Sequence, residues 1–435
     1  MFKVKHLPLS LPFYDRLGIE RWLHKQAAAG WYLESAGHVF WRFRKGDPKV
    51  LHYAVVYQPA LDPDDPASEP RALQFAQYCA HAGWLLVSDS ARMQIYSNDS
   101  TAPLPIETDP LLELDRIHAT AKKSYLRHAY LCVLASALHL LSFLLRFGSV
   151  SSFIFAGNGA VVYALASILL LALAISNVAG YYRWYRKAKL ASQMGTRAPN
   201  VKRGTQCVLL TALVICFGAY LVTVGWQAAV VILGAMMLIA FGVKWITGNS
   251  KRMRQQGYPV FENRVYSGLL SALLIFAVTF TALLMGELVE GRPPKETAPP
   301  IHIQELNGQI AECECKANVM ESIFIRRTRV DCANEELGYQ VVDVKLPFVY
   351  DAVVDFYLDM WQDPIYARLM GEGFDPNFRA VSAQPWGAVQ AYALIWEPKD
   401  LYAYVICYSD RVIYVGNSEP LTEEQIGLIG EKLNG

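Results

Sequence analysis

Few residues in this chain have the types and spacing that chemistry requires, and the cysteines come first. Four of the eight lie after position 300, as Cys313, Cys315, Cys332 and Cys407. On the outer side of a cytoplasmic membrane such an even set forms disulfides, whereas cytoplasmic thiols stay reduced. Cys313-Glu314-Cys315 on a strand would put both thiols on one face, where a metal could sit, but the spacing is not the Cys-x-x-Cys of zinc sites. At least one disulfide is the leading expectation, with free thiols second and a metal last. Asp351, Asp355 and Asp359 recur at helical spacing, the pattern of a solvated helix face. No Gly-x-Ser-x-Gly elbow, His-Glu-x-x-His pair, phosphate loop or kinase set occurs, so neither a reaction class nor a cofactor is implied.

His139 is the one clearly ionisable side chain within the long apolar runs, accompanied by Asn158, Asn177, Thr211 and Thr223 on other runs. Acids are missing from these runs, which argues against ion coupling through carboxylates. His139 and Asn158 could line a small polar site. Interhelical hydrogen bonding, worth about 1 kcal/mol, is the favoured reading. Trp31 and Trp84 could form an aromatic clamp, or they could simply supply volume where a helix meets a sheet; the second is favoured.

Five apolar runs must position these groups: Ala129 to Leu145, Ile154 to Tyr182, Cys207 to Trp226, Ala228 to Val243 and Tyr266 to Gly286. About 20 apolar residues cross a hydrocarbon core, so the second, third and fifth suffice alone, and the first and fourth suffice with interfacial flanks. The Arg183 to Arg203 loop holds seven cations and no acid, and Lys251, Arg252, Arg254 and Arg264 precede the fifth run. Basic loops of this kind stay in the cytoplasm. An odd number of crossings then puts the N-terminus inside and the C-terminus outside. No leader pattern follows Met1, so the first span is expected to target the chain. A net charge of +1 gives no basic field for nucleic acid; the loops suit anionic lipid headgroups instead.

Residues 1–108 hold a partial repeat. Trp22 to Leu33 recurs as Phe75 to Leu86, each copy reading as a helix stopped by glycine with a tryptophan opening a strand. Alternating segments follow at 39–44, 51–57 and 93–96, predicting two helices on one antiparallel sheet. Asp109 and Pro110 then start a connecting helix over 109–128.

Glu20-Arg21-Trp22-Leu23, Ala27 to Trp31, Gly83-Trp84 and Ile106-Glu107-Thr108-Asp109 resemble the bacterial domain-of-unknown-function family 2812. The resemblance implies an N-terminal domain ahead of several membrane helices, with no established activity. It also implies a sensing or regulatory context, because family members are similar to proteins encoded beside PadR-type transcriptional regulators.

Beyond the membrane region, 129–286, a Pro-rich linker at 287–300 leads to residues 301–435. Strands are expected at 323–330, 340–345, 388–396, 401–408 and 411–415, with helices at 347–361 and after a Thr422/Gln425 capping box. The whole reads as a mixed protein: an α+β N-terminal domain, five transmembrane helices and an α+β extracytoplasmic domain. A non-enzymatic connector working through a protein partner is the leading functional expectation, and solute transport is the alternative.

Overall fold

The repeated helix-Gly-Trp segment folds twice into the same βαββ unit. In the computed structural model the first copy is β1 (Val4–Pro8), α1 (Arg16–Ala28), β2 (Trp31–Ala36) and β3 (Phe40–Lys45). The second is β4 (His52–Tyr57), α2 (Ser68–His81), β5 (Leu85–Ser90) and β6 (Met93–Asn98). The structure describes most of residues 3–223 and 295–434 with short stretches of 230–270; residues 1–2, 9–10, 38–39, 63–64, 91, 197, 202, much of 224–254, 267, 271–294, 302–314, 333–336 and 435 lie outside it. Both helices end at a glycine in the left-handed region, Gly30 at φ +74 and Gly83 at φ +79, which a side chain would strain.

Sequence alternation predicts one sheet here, and the structure has two, ordered β1-β3-β2 and β4-β6-β5. The reason is local. β2 and β5 carry bulges at matching places, Leu33/Ser35 and Leu86/Ser88, and a bulge interrupts the regular ladder a neighbour would need. The two sheets meet instead through a side chain, with Ala36 N–H donating to Ser88 Oγ at 2.9 Å.

The chain divides into two compact units, Met1–Leu140 with Ser167–Ile215 and Ile232–Leu283, and Leu141–Ala166 with Cys216–Val231 and Leu284–Gly435. In the first unit α3 (Pro110–Lys123) starts as expected, with Asp109 accepting from Leu111 N–H at 2.8 Å and proline at the first turn. It stops at Ser124 rather than continuing to 128, and α4 (Tyr125–Arg146) begins. Ile19, Leu23 and Ala27 of α1 recur at four-residue spacing, and Leu114, Ile117 and Ala121 of α3 at three and four. These stripes bury into one core with Trp41, Phe43, Val55 and Ile95.

Three stretches, Pro110–Arg146, Gly157–Gln193 and Gly204–Val222, are long and apolar enough to cross a membrane. Their leucines are largely exposed, Leu134, Leu138 and Leu145 among them, a surface compatible with insertion into hydrocarbon. The fourth and fifth apolar runs lie largely outside the described residues. Two boundaries differ from the sequence reading. The second run is broken by Gly157 (φ +79), which separates the short α5 (Val150–Phe155) from α6 (Gly157–Gln193). The basic segment read as a loop from Arg183 is helical to Gln193, since lysine and arginine are good helix formers and continue a nucleated helix. α7 covers Gly204–Thr223.

In the second unit an eight-stranded antiparallel sheet runs β11-β12-β13-β14-β10-β9-β8-β7. Its strands are β7 (Lys295–Thr297), β8 (Cys315–Glu321), β9 (Ile325–Cys332), β10 (Leu337–Val344), β11 (Arg379–Val381), β12 (Gln390–Trp396), β13 (Leu401–Cys407) and β14 (Arg411–Asn417). Residues 295–297, placed in the linker by sequence, are thus an edge strand. The proposed 347–361 helix is a 3-10 turn, then α8 (Tyr350–Leu358), then a second 3-10 turn; α9 (Pro364–Met370) follows. α10 (Glu423–Asn434) closes the chain with the expected reciprocal cap, Thr422 N–H to Gln425 Oε1 at 2.8 Å and Gln425 N–H to Thr422 Oγ1 at 3.3 Å. Helices cover both sheet faces: Ala403, Val405 and Cys407 join the core under α8, while Tyr404 and Ile406 join the core under α10. A strand dry on both sides reads as a continuous apolar run, which is what 401–407 is.

Candidate functional site

α1 carries Arg16, Glu20 and His24 one turn apart, on the face that meets β4. β4 is an edge strand, so its outward N–H groups have no ladder partner. The helix supplies one. Val55 N–H donates to Glu20 Oε1 at 2.9 Å and Tyr53 N–H donates to His24 Nε2 at 2.8 Å. Accepting at Nε2 requires that nitrogen to be unprotonated. Burial, and then the nearby His52, holds the His24 imidazole below its ordinary range.

Over this capped edge opens a cavity of about 230 Å³, lined by His52, Trp84, Ile106, Glu107 and Arg116 as well as the α1 side chains. A second of about 250 Å³ adjoins it, sharing Arg16, Pro105, Glu107 and Glu113. The charges pair internally: Arg16 Nη1 with Glu113 Oε2 at 2.8 Å, Arg16 Nε with Glu20 Oε1 at 3.3 Å, and Arg116 Nη1 with Glu107 Oε2 at 2.6 Å. Carboxylates already opposed by guanidiniums are poor general bases, and neither a nucleophile nor, among the described residues, a metal-holding group is present. The arrangement suits binding and domain stiffening.

An aromatic joint ties this domain to the apolar helices. Tyr14 packs on Trp184 at 4.8 Å between ring centroids, on Tyr181 at 5.0 Å and on Tyr125 at 5.5 Å. His118 of α3 stacks on Tyr185 at 4.0 Å, and its Nδ1 lies 2.7 Å from the Tyr181 hydroxyl. Sequence reading missed this joint. Its only signal is the aromatic density of Tyr181 to Tyr185 beside the basic residues.

The residues singled out from sequence fall in separate places. Trp31 is half-buried between two cations, Lys5 Nζ at 5.2 Å and Lys45 Nζ at 5.0 Å from its ring. Trp84 is buried in a smaller cluster with Tyr96 and Cys79, its Nε1–H donating to Leu104 O at 2.8 Å. The two tryptophans therefore do not make one clamp. His139 lies on α4 in the first unit and Asn158 at the start of α6 in the second. Asn158 does not follow the expected interhelical pattern: its Oδ1 accepts from Ile323 N–H at 2.8 Å, in the turn between β8 and β9, because the Gly157 break exposes the first turn of α6 to the sheet. Beside it Phe155 stacks on Phe356 at 4.1 Å, and the Arg327 guanidinium lies 5.4 Å over the Phe155 ring.

Among the candidate disulfide cysteines, Cys407 is a free thiol buried under α8, pushed up to about 11 by burial. Cys313 lies outside the described residues. Cys315 and Cys332 are facing positions of the β8–β9 ladder.

The fold is thus of mixed α+β class, with two N-terminal sheets, apolar helices and a C-terminal sheet. The family resemblance read from Trp22, Gly30 and Gly83 holds: residues 17–129, from α1 to the first turn of α4, match the family described as Protein of unknown function (DUF2812). No curated protein and no solved structure matches the chain.

Proposed function

We propose that this is a multi-pass membrane protein, non-enzymatic, that links an outer C-terminal domain to a cytoplasmic DUF2812 domain in sensing or regulation. The carrying observation is that α6 contributes to both units: its Tyr181 and Trp184 lie in the core of the first, and its Asn158 accepts from Ile323 N–H within the second. Helices transmit displacement because their backbone hydrogen bonds make them stiff, and packed aromatic joints leave little slack. Within the second unit, Ile154 and Phe155, at the α5 turn between the first two candidate spans, join the core of the C-terminal sheet, and within the first unit the core takes in the early part of the first span and the late part of the second. With the fourth and fifth apolar runs also crossing, the chain has five spans and an outer C-terminus. The paired charges of the N-terminal cavity support an interaction role. The partner expected from the family context is a transcriptional regulator of PadR type.

Proximity labelling from a ligase fused before Met1 tests this reading. Enrichment of a transcriptional regulator supports it, whereas recovery of no partner together with solute uptake by purified protein in vesicles overturns it. A reporter fused after Gly435 tests the orientation, and activity only in the cytoplasm would refute it.

A further inference from the structure

The β8–β9 hairpin closes with two residues, Ile323 and Phe324, between Ser322 and Ile325. Ser322 N–H donates to Ile325 O at 2.8 Å, which makes 322/325 a hydrogen-bonded pair of the antiparallel ladder. Such pairs alternate strictly with non-hydrogen-bonded ones, and the register from Glu321↔Arg326 to Cys315↔Cys332 contains no shift. Cys315 and Cys332 are each seven residues from that pair, an odd number, so they form a non-hydrogen-bonded pair. Facing Cα atoms in such pairs lie about 4.5 Å apart, inside the roughly 4.4–6.8 Å span that disulfides bridge.

The other cysteines compete poorly. Cys407 sits on β13, with β14 and β10 between it and β9. Three strand spacings of about 4.8 Å put it roughly twice as far from Cys332 as a disulfide reaches. Its buried thiol, pushed up to about 11, is also a poor nucleophile for exchange. Cys313 precedes the strand, two residues short of the facing position.

We propose that Cys315 and Cys332 are joined by a cross-strand disulfide that staples the open end of the hairpin whose turn receives Asn158. This rests on the outer placement of the C-terminal domain proposed above. The bond forms by exchange with a disulfide-bearing oxidant: one cysteine, as thiolate, attacks it and releases a thiol, and the second displaces the remaining thiol. Both protein thiols lose their protons, the sulfur–sulfur bond forms, and the oxidant takes up the electron pair and leaves as two thiols.

The test uses the full chain in bacterial membranes, alkylated without reduction, digested with trypsin and mapped by mass spectrometry. The expected result is a linked pair of peptides carrying Cys315 and Cys332, lighter by two hydrogens than the reduced pair. The link persists in Cys313→Ser, is lost in Cys315→Ser, and leaves Cys332 alkylated in that variant. Alkylation of both cysteines in the unreduced wild type overturns the proposal, as does a link from Cys332 that disappears in Cys313→Ser. A membrane-impermeant maleimide on intact cells separates the two readings. Free wild-type cysteines labelled from outside would sink the disulfide and leave the orientation standing; labelling of Cys332 in Cys315→Ser only after permeabilisation would sink both.

Discussion

Arg42 in the first half of the N-terminal repeat and Ile95 in the second hold equivalent positions on the middle strand of a three-stranded sheet. Arg42 faces Ser35 across the bulge in β2 and Ile95 faces Ser88 across the bulge in β5. Their neighbours correspond too: Phe43 packs on Trp22 of α1 at 5.4 Å, and Tyr96 on Phe75 of α2 at 6.2 Å. On the other face the halves part. Phe40, Arg42 and Arg44 of β3 are exposed, whereas Met93 and Ile95 of β6 join the large core with α3 and the aromatic joint. The middle strand of one sheet is wet on one side and that of the other is dry on both. The repeat carries the shared topology, and side-chain patterning decides which copy lies in the core shared with the apolar helices.

The sharpest way to break this comparison is to exchange the two residues. Ile95→Arg buries an unpaired charge and should cost about 4 kcal/mol or more, while Arg42→Ile, on a solvated face and losing only an exposed pair with Glu34, should stay within about 0.5 kcal/mol. Amide hydrogen exchange of β3 and β6 in the full-length protein reads both. Equal losses would mean that the wet face of the first sheet is covered in the membrane-bound protein.

Next comes the inner face. Trp41 and Gln94 are equivalent and both buried, but Trp41 is packed apolar volume while Gln94 bonds the Tyr96 hydroxyl at 2.9 Å. Trp41→Ala should cost about 3–5 kcal/mol through its cavity. Gln94→Ala should cost about 1–3 kcal/mol, from the loss of its buried hydrogen bond to the Tyr96 hydroxyl. The same exchange measurement ranks them, and a reversed order would show that the polar network of the second half is the stiffer element.

The glycine corners sharpen the comparison further. Both take positive φ, so alanine costs about 1–2 kcal/mol at either from backbone strain. A Cβ on Gly30 would also stand 2.5 Å from the Gly46 carbonyl oxygen, whereas on Gly83 it would meet the movable Asn98 side chain at 3.1 Å. Gly30→Ala should therefore be the worse of the two in thermal unfolding of the full chain.

Much of this was legible in the residues. The repeat declared itself through Gly30-Trp31 and Gly83-Trp84, the last helix through Thr422 and Gln425, and the doubly covered β13 through its unbroken apolar run. The division into two sheets was not legible, because bulges at Leu33 and Leu86 leave no mark on alternation. The candidate site was not legible either. Glu20 and His24 read as ordinary helix-surface residues, and only the tertiary position of β4's open edge gives them N–H groups to accept from. Asn158 misled for a related reason: an amide in an apolar run suggests a helix partner, and its actual partner lies 165 residues away on a hairpin turn.

His24 gives the smallest expected effect and the most specific one. Its equivalent in the second half is Gln77, which cannot titrate, so any histidine-linked loosening of a helix from a strand edge belongs to the first half alone. Folding lowers the affinity of His24 for its proton from the ordinary 6.5, through burial and then the nearby His52. The unfolded chain therefore binds the proton more readily. The stability contributed by the His24 bond is fully present above pH 6.5 and declines as pH falls from there through the lowered folded value. Protonation removes the acceptor that Tyr53 N–H requires, so exchange at Tyr53 should accelerate on acidification through the His24 range more than exchange at Val55, whose acceptor is the Glu20 carboxylate rather than an imidazole. His24→Gln keeps an acceptor without a titration in this range, and the difference between the two amides should then lose its pH dependence. If it persists, the acid response does not come from the His24 bond, and the capped edge is not the sensitive element.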